Sequence, residues 1–478
     1  MCGVMGVLAP AGRDVYETIT RGLFQMQHRG QDACGIAISD GEQVRHHRDL
    51  GYVREVFGER PSPDFQGHLA CGHVRYPTQG GNRLVNAQPH LIALPGGSVM
   101  ALGSNGDLTN YWAVRQRLEG EGIAFASTND AELLLNYIFY QHARCGLPLV
   151  DAIRRMQADV EGAYSACLMT RDTLYAIRDP YAIRPLCFGG SEAGWIVASE
   201  SNALDINLID LIDEVQPGEI IRFDARGMER LPHPDPVAAR HGRATPAQCV
   251  FEYIYFSRPD SIVYGRRVYD VRKAIGAWLA QHDTVRGDVV VPVPDSSNAV
   301  ALGYAQAAGL PFEFGLVRNH YIGRTFISPD QRFRDDGVRM KFNPLRSVFK
   351  NRKVILVDDS IVRGTTSRKL VRMVRGAGAT EVHLRIGSPT TRFSCYYGID
   401  TPNADELIGH RLSRDEICAH LTADSLMYMT VEGLGQVVND GKHFCMACFD
   451  GAYPTEIGEV KISREEGRPR FSHGVMLG

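Results

Sequence analysis

Three places in this chain of 478 residues combine residue types that do chemistry. The first is Cys2, directly after the initiator Met1. If Met1 is removed, one residue carries both a thiol and a free α-amine. An amine with a pKa near ~8 can act as general base for the nucleophile beside it. The second is VILVDDSIVRGTTS (354–367), an apolar run that ends in two carboxylates and a glycine-and-hydroxyl loop. The third is Cys445-Met-Ala-Cys448, a C-x-x-C pair whose spacing lets two sulfurs reach one centre. By itself that pair fits zinc, an iron–sulfur cluster, a redox couple or no function at all.

A thiol attacking an amide also needs donors for the oxyanion and a clamp for the substrate. Asn105-Gly106 reads as a tight turn after a strand, with a side-chain amide and a backbone N–H pointing one way. Arg75 could pair a substrate carboxylate and Asp130 a substrate ammonium. Each has a plainer reading: a hairpin turn, a surface ion pair, a carboxylate at a helix start. In the second stretch, Asp358, Asp359 and Ser360 end the strand, and Gly364, Thr365, Thr366 and Ser367 open a helix. Glycine lets the backbone approach a ligand, while the hydroxyls and helix N–H groups cradle an anion such as a 5-phosphate. The paired carboxylates suit ribose hydroxyls or a divalent cation. The place itself, the C-terminal edge of a parallel sheet, is where open α/β folds bind ligands.

The elements that must position these groups change character along the chain. The first half has short β-type runs, among them GHLACGHVRYPT (67–78), SVMALGSNGD (98–107) and AYSACLMT (163–170), interrupted by helical spacing at Tyr16–His28 and Asp130–Tyr140. This is the pattern of antiparallel sheets in an α+β layered domain. After the proline-bearing linker HPDPVAARHGRATP (233–246), continuous apolar strands such as GDVVVPVPDSS (287–297) and ATEVHLRIGSP (379–389) alternate with helices. That is an α/β domain with a parallel sheet. The expected domains are 2–235 and 246–478.

Bulk composition excludes several classes. With 44% hydrophobic and 22% charged residues and a net charge of -3, neither nucleic acid nor an anionic membrane is an expected partner. No apolar run approaches the roughly 20 residues of a membrane span, and the N-terminus has no secretory pattern. The cytoplasm is the expected compartment, and the eleven cysteines are read there as thiols, ligands or nucleophiles rather than a disulfide framework.

In order, MCGVMGV (1–7), HRGQDACGIAI (28–38), GHVRYPTQGG (72–81), NAQPH (86–90), SNGDLTNY (104–111) and STNDAELLL (127–135) resemble the N-terminal-nucleophile glutamine amidotransferase domain. The resemblance implies αββα layers and glutamine hydrolysis. Cys2 would be the nucleophile, Asn105 and Gly106 the oxyanion donors, Arg75 and Asp130 the glutamine clamps. VILVDDSIVRGTTS looks like the phosphoribosyl-pyrophosphate loop of type I phosphoribosyltransferases. With CVFEYIYFSRPDSIVYGRRVYDVRKAIGAWLA (249–280), VPVPDSSNAVALGYAQAAGLPFEFGLVRNHYIGRTFI (291–327), VRMKFNP (338–344) and YGIDTPNADELI (397–408), nearly the whole chain resembles the amidophosphoribosyltransferases.

That family implies amidation of phosphoribosyl pyrophosphate by glutamine at the start of purine synthesis. It implies Mg2+ held near Ser296, Asp358 and Asp359, and pyrophosphate contacts from Arg324, in the closing loop GRTFI, and Lys341. The context FCMACFDGAYPTEI (444–457) matches the branch with a structural 4Fe–4S cluster, whose ligands here would be Cys249, Cys395, Cys445 and Cys448. A homodimer or homotetramer and inhibition by purine nucleotides are further family expectations. Ser104, Pro77, Ala182, Ser297-Asn298, Arg318 and His320 depart from the usual pattern. Another glutamine amidotransferase, making glucosamine phosphate or asparagine, would need isomerase or ATP-pyrophosphatase motifs in place of VDDSIVRGTTS. A non-catalytic or ammonia-only phosphoribosyl-pyrophosphate or nucleotide sensor is the rival from a different class.

Overall fold

The computed structural model describes residues 1–58, 65–76, 83–231, 245–321, 340–438, 443–458 and 460–461. Most of the linker, the GRTFI loop with Arg324, and Pro77 lie outside these residues.

The first half stacks two antiparallel sheets, one of seven strands and one of six. Side chains alternate across each strand, and the apolar ones sort into three layers. On strand Gly3–Leu8, Met5 and Val7 pack outward with Ile19 and Leu23 of helix Tyr16–Gln25. Val4 and Leu8 point inward and meet Ala101, Cys167 and Phe223 of the other sheet. On strand Val99–Leu108, Met100 and Leu102 turn the opposite way, against helices Tyr111–Gly120, Asp130–Phe139 and Leu149–Asp159. Helix, sheet, sheet, helix is the αββα layering.

The second half centres on four parallel strands in the order Val289–Pro292, Lys353–Asp358, Glu381–Ile386, Ser425–Tyr428. Both faces are covered, which is why these strands read as unbroken apolar runs. Val290, Ile355 and Val357 pack with helices Val268–Gln281 and Asn298–Ala308. Val289, Val291, Val354 and Leu356 pack with helices Thr365–Gly376 and Arg414–Leu421 on the other side. The core of the first face also takes in Met1, Ala163 and Ile183, so the two halves share apolar burial as well as polar contacts. Among the described residues, no helix is long and apolar enough to cross a membrane.

Candidate active sites

Cys2 sits just before strand Gly3–Leu8, which pairs antiparallel with Leu69–Arg75 so that Gly3 faces Val74. The pairing brings the 75–76 corner over the thiol, and Cys2 Sγ donates to the Tyr76 carbonyl at 3.6 Å. From the second sheet, Asn105 reaches across: its Oδ1 accepts the Cys2 N–H at 3.1 Å. That bond fixes the amide so that Nδ2 turns away, and Nδ2 is buried without a hydrogen-bond partner among the described residues. A buried donor left unmade costs about 1–3 kcal/mol. An oxyanion formed at Cys2 would satisfy it.

The expected turn at Asn105-Gly106 is corrected by the structure. Both residues lie inside strand Val99–Leu108, with Asn105 opposite Ser165 and Gly106 opposite Tyr164. Gly106 has φ 158°, and a Cβ there would stand 1.8 Å from the Ala163 carbonyl oxygen. The glycine permits a close approach between strands; it does not close a hairpin.

Neighbouring groups hold this arrangement. Gln88 Oε1 accepts the Ser104 N–H at 2.7 Å, and His73 Nε2 donates to the Ser104 carbonyl at 3.1 Å. Burial, aided by nearby Arg75, pushes His73 down to about 3, so the ring is neutral. Arg75 is buried, which lowers its pKa, while Cys2 and Asp32 beside it act in the opposite sense. Asp130 begins helix Asp130–Phe139, whose cap Asn129 accepts the Ala131 N–H at 2.9 Å and donates to the Asn86 carbonyl at 3.2 Å. Burial, with Arg48 and His73 nearby, pushes His90 down to about 3, so this ring too is neutral. The structure thus gathers Cys2, Asn105, Gly106 and Arg75, while Asp130 stands at the start of a helix whose cap is bonded to Asn86.

An ion cluster under the nucleophile goes beyond what the motifs imply. Arg29 Nε donates to the Cys2 carbonyl at 2.9 Å, and Nη1 meets Glu200 at 2.5 Å. The same guanidinium grips Glu252 of the second half with two bonds, at 3.0 and 2.8 Å. All three side chains are fully buried. Burial pushes Glu200 up, but His28 and Arg29 outweigh it and hold the carboxyl well below its usual range. The one sign in the sequence is a glutamate inside the apolar tract CVFEYIYF (249–256), since a buried charge demands a partner.

The phosphoribosyl stretch folds as its pattern implies. Asp358 ends its strand, and Gly364, at φ 76°, precedes helix Thr365–Gly376. A Cβ on Gly364 would come within 2.7 Å of Ile408. Ser296 and Ser360 donate to the two oxygens of Asp359, each at 2.9 Å, and Ser297 donates to Asp358 at 3.3 Å. Burial and the adjacent Asp359 push the Asp358 carboxyl well up. A cation bound beside Asp358 would offset that penalty. Arg272, given no role in the sequence reading, lies buried near this edge; burial lowers it to about 10 against the pull of Asp359. Lys341 flanks the hairpin of Leu316–Arg318 with Phe342–Pro344, its carbonyl accepting the Asn319 N–H at 2.9 Å.

Comparison with known proteins bears on both halves. A glutamine amidotransferase domain family matches residues 85–206. The amidophosphoribosyltransferase of Mycobacterium tuberculosis is 42% identical over 467 residues, covering 95% of this chain and 86% of that protein. That of Methanocaldococcus jannaschii is 41% identical over 477 residues, covering 98% of this chain and 100% of the relative. The chain belongs to the amidophosphoribosyltransferase family. The solved glutamine phosphoribosylpyrophosphate amidotransferase of B. subtilis, complexed with ADP and GMP, superposes with a TM-score of 0.87 at 40% identity. It covers 95% of this chain and 98% of its own.

The four cysteines expected at the cluster come from three segments of the second half. Strands Gln248–Cys249 and Phe444–Cys445 pair in parallel with Cys249 opposite Cys445. The Cys448 carbonyl accepts the Arg392 and Phe393 N–H groups at 2.9 and 3.1 Å, drawing in the segment that carries Cys395. Burial, then Glu252 and Cys395 against the pull of Arg184, pushes Cys249 up to about 11, and burial with the neighbouring thiols pushes Cys445 and Cys448 higher still. Among the described residues, no three His, Cys, Asp or Glu side chains close around a single metal ion.

Proposed function

We propose that this chain converts glutamine and 5-phosphoribosyl 1-pyrophosphate to 5-phosphoribosylamine, glutamate and pyrophosphate, the first step of de novo purine nucleotide synthesis. The observation that carries the reading is Asn105, whose oxygen holds the Cys2 N–H while its buried Nδ2 is left for a charge that forms at the thiol.

After removal of Met1, the Cys2 α-amine takes the thiol proton and the sulfur attacks the glutamine amide. Asn105 Nδ2 and the Gly106 N–H stabilise the tetrahedral oxyanion. Arg75 takes the substrate carboxylate and Asp130 its ammonium. The amine returns the proton to the leaving ammonia, and water later frees glutamate from the thioester. Across the domain boundary, the N–H and hydroxyl groups of Gly364, Thr365, Thr366 and Ser367 hold the 5-phosphate. Asp358, Asp359 and Ser360 face the ribose, and Arg324 and Lys341 face the pyrophosphate. Water must be kept from the activated C1, the role the family resemblance implies for GRTFI (323–327), which lies outside the described residues.

Ser296, Asp358 and Asp359 form an oxygen donor set suited to Mg2+, which would neutralise the pyrophosphate charge. Cys249, Cys395, Cys445 and Cys448 are buried or half-buried thiols from three segments. A thiolate-only donor set is the ligation a structural 4Fe–4S cluster would take. A homodimer or homotetramer in the cytoplasm, inhibited by purine nucleotides, completes this reading, as do domain limits at 2–235 and 246–478.

The test is pyrophosphate release from phosphoribosyl pyrophosphate by protein purified without oxygen, with glutamine and with ammonium in parallel. Turnover with both, and iron and sulfide in the protein, is the expected result. Binding of phosphoribosyl pyrophosphate with no turnover on either nitrogen source would return the sensor reading.

A further inference from the structure

The oxyanion strand is enclosed from two sides, and one side belongs to the other domain. Within its own sheet, Gly106 pairs with Tyr164, and a Cβ on it would stand 1.8 Å from the Ala163 carbonyl oxygen, so the two strands approach closely there. Opposite, the second domain presents Gly398, buried and at φ 99°. A Cβ added to Gly398 would stand 2.9 Å from the Gly106 carbonyl carbon, 2.9 Å from its oxygen and 3.2 Å from its Cα. These are backbone atoms, so no side-chain rotation relieves the contact.

The segment bearing Gly398 cannot easily retreat. The Tyr397 carbonyl accepts the Nε–H of Arg184 at 2.8 Å, and a second bond from Arg184 Nη2. Arg184 belongs to the first domain and is itself held 3.6 Å from Glu252. The Tyr397 hydroxyl lies 3.0 Å from Thr455 Oγ1, which in turn lies 3.2 Å from Thr109 Oγ1, three residues beyond Gly106. Anchors on both sides therefore press the 397–398 backbone flat against the oxyanion strand.

We propose that Gly398 is a positioning residue for glutamine hydrolysis: the phosphoribosyltransferase domain supplies, through this glycine, the wall that fixes Asn105 and Gly106 as oxyanion donors. The proposal rests on the assignment of Cys2, Asn105 and Gly106 as the glutaminase site. Gly398 touches no substrate. It acts by what it lacks, because any side chain there displaces the Gly106 peptide and tilts the donors away from the developing charge. The glutamine half-site is then incomplete without the second domain.

The experiment compares wild type, Cys2→Ala, Gly398→Ala and Thr455→Val as full-length, anaerobically purified proteins. Cys2→Ala tests the underlying site: loss of glutamine use with ammonium use kept upholds it, and equal loss of both overturns it. For Gly398→Ala the expected result is a drop in kcat with glutamine of roughly 10–100-fold, below or at the effect of removing one oxyanion donor. KM for glutamine, the ammonium-dependent rate and iron per chain stay within about twofold. Unchanged glutamine turnover, or parallel loss with both nitrogen sources, overturns the proposal. Should Gly398→Ala fail to fold, Thr455→Val decides. It loosens the anchor and leaves the glycine, and it should lower the glutamine kcat alone by a few-fold; no change overturns the proposal.

Discussion

The two reaction centres are built on opposite plans. The proposed phosphoribosyl site is nearly contiguous: Asp358 to Ser367 supplies two carboxylates, a tight glycine and a helix start within one strand–loop–helix, with Ser296 and Ser297 added from the neighbouring strand end. The glutamine site is assembled from afar. Cys2 meets Asn105 across 103 residues, and Arg29 beneath it meets Glu252 across 223. A contiguous site can survive shifts elsewhere in the fold. A dispersed one inherits every change in how the sheets and domains pack, so it is the half whose activity domain contacts can set.

The sharpest way to break the comparison is to silence one half alone. Cys2→Ala should abolish glutamine-dependent pyrophosphate release and leave the ammonium-dependent rate within about twofold, since the lost sulfur serves only one site. Asp359→Asn should do the reverse in kind, lowering both rates together, because either nitrogen source needs the phosphoribosyl site. Parallel steady-state assays read both; a Cys2→Ala protein dead with ammonium would show that the halves are not separable.

Removing Glu252 tests how far the glutamine half depends on its neighbour. Glu252→Ala leaves Arg29 without its two-bond partner and Arg184 without its nearest carboxylate in a fully buried setting. Breaking a buried pair costs about 3–5 kcal/mol. The expected outcome is a large fall in unfolding midpoint, measured by denaturant titration, with the glutamine rate falling more than the ammonium rate. Asn105→Ala should cost less in stability and about 10²–10³-fold in glutamine kcat, with ammonium turnover kept.

The same contrast explains what the sequence discloses. The parallel strands are legible because burial on both faces leaves an unbroken apolar run, as in VILV at 354–357. The phosphate loop is legible because its chemistry is local. In the glutamine half, Asn105-Gly106 reads as a turn although it lies mid-strand, because the dipeptide signals a local bend and says nothing of a partner strand. His73, Gln88 and Arg29 stand inside stretches that carry the family resemblance, yet their contacts, like those of Glu200, escape a sequence reading for the same reason. Their roles arise from residues tens to hundreds of positions away, and single polar residues carry no period. Gly398 is the extreme case: its function is an absent side chain facing another domain.

A smaller effect should come from Asp179, which shapes the turn leading to Arg184. Its carboxylate accepts the N–H groups of Tyr181 at 3.0 Å, Ile183 at 3.3 Å and Tyr164 at 3.3 Å. Burial nevertheless dominates and pushes it from an ordinary 3.8 up to about 6. Because the folded pKa lies above the unfolded one, folding favours the protonated form. That contribution is full below the unfolded value and is lost as pH rises through about 6. A rise of that size in a fully buried carboxyl corresponds to roughly 3 kcal/mol. Wild-type stability should therefore decline between about pH 4 and 6 by more than in Asp179→Asn, which cannot ionise and whose curve should be flatter there. Denaturation series at matched ionic strength measure the difference. If the two curves run parallel, Asp179 titrates alike in the folded and unfolded chain, and the turn leading to Arg184 carries no pH-dependent stability of its own.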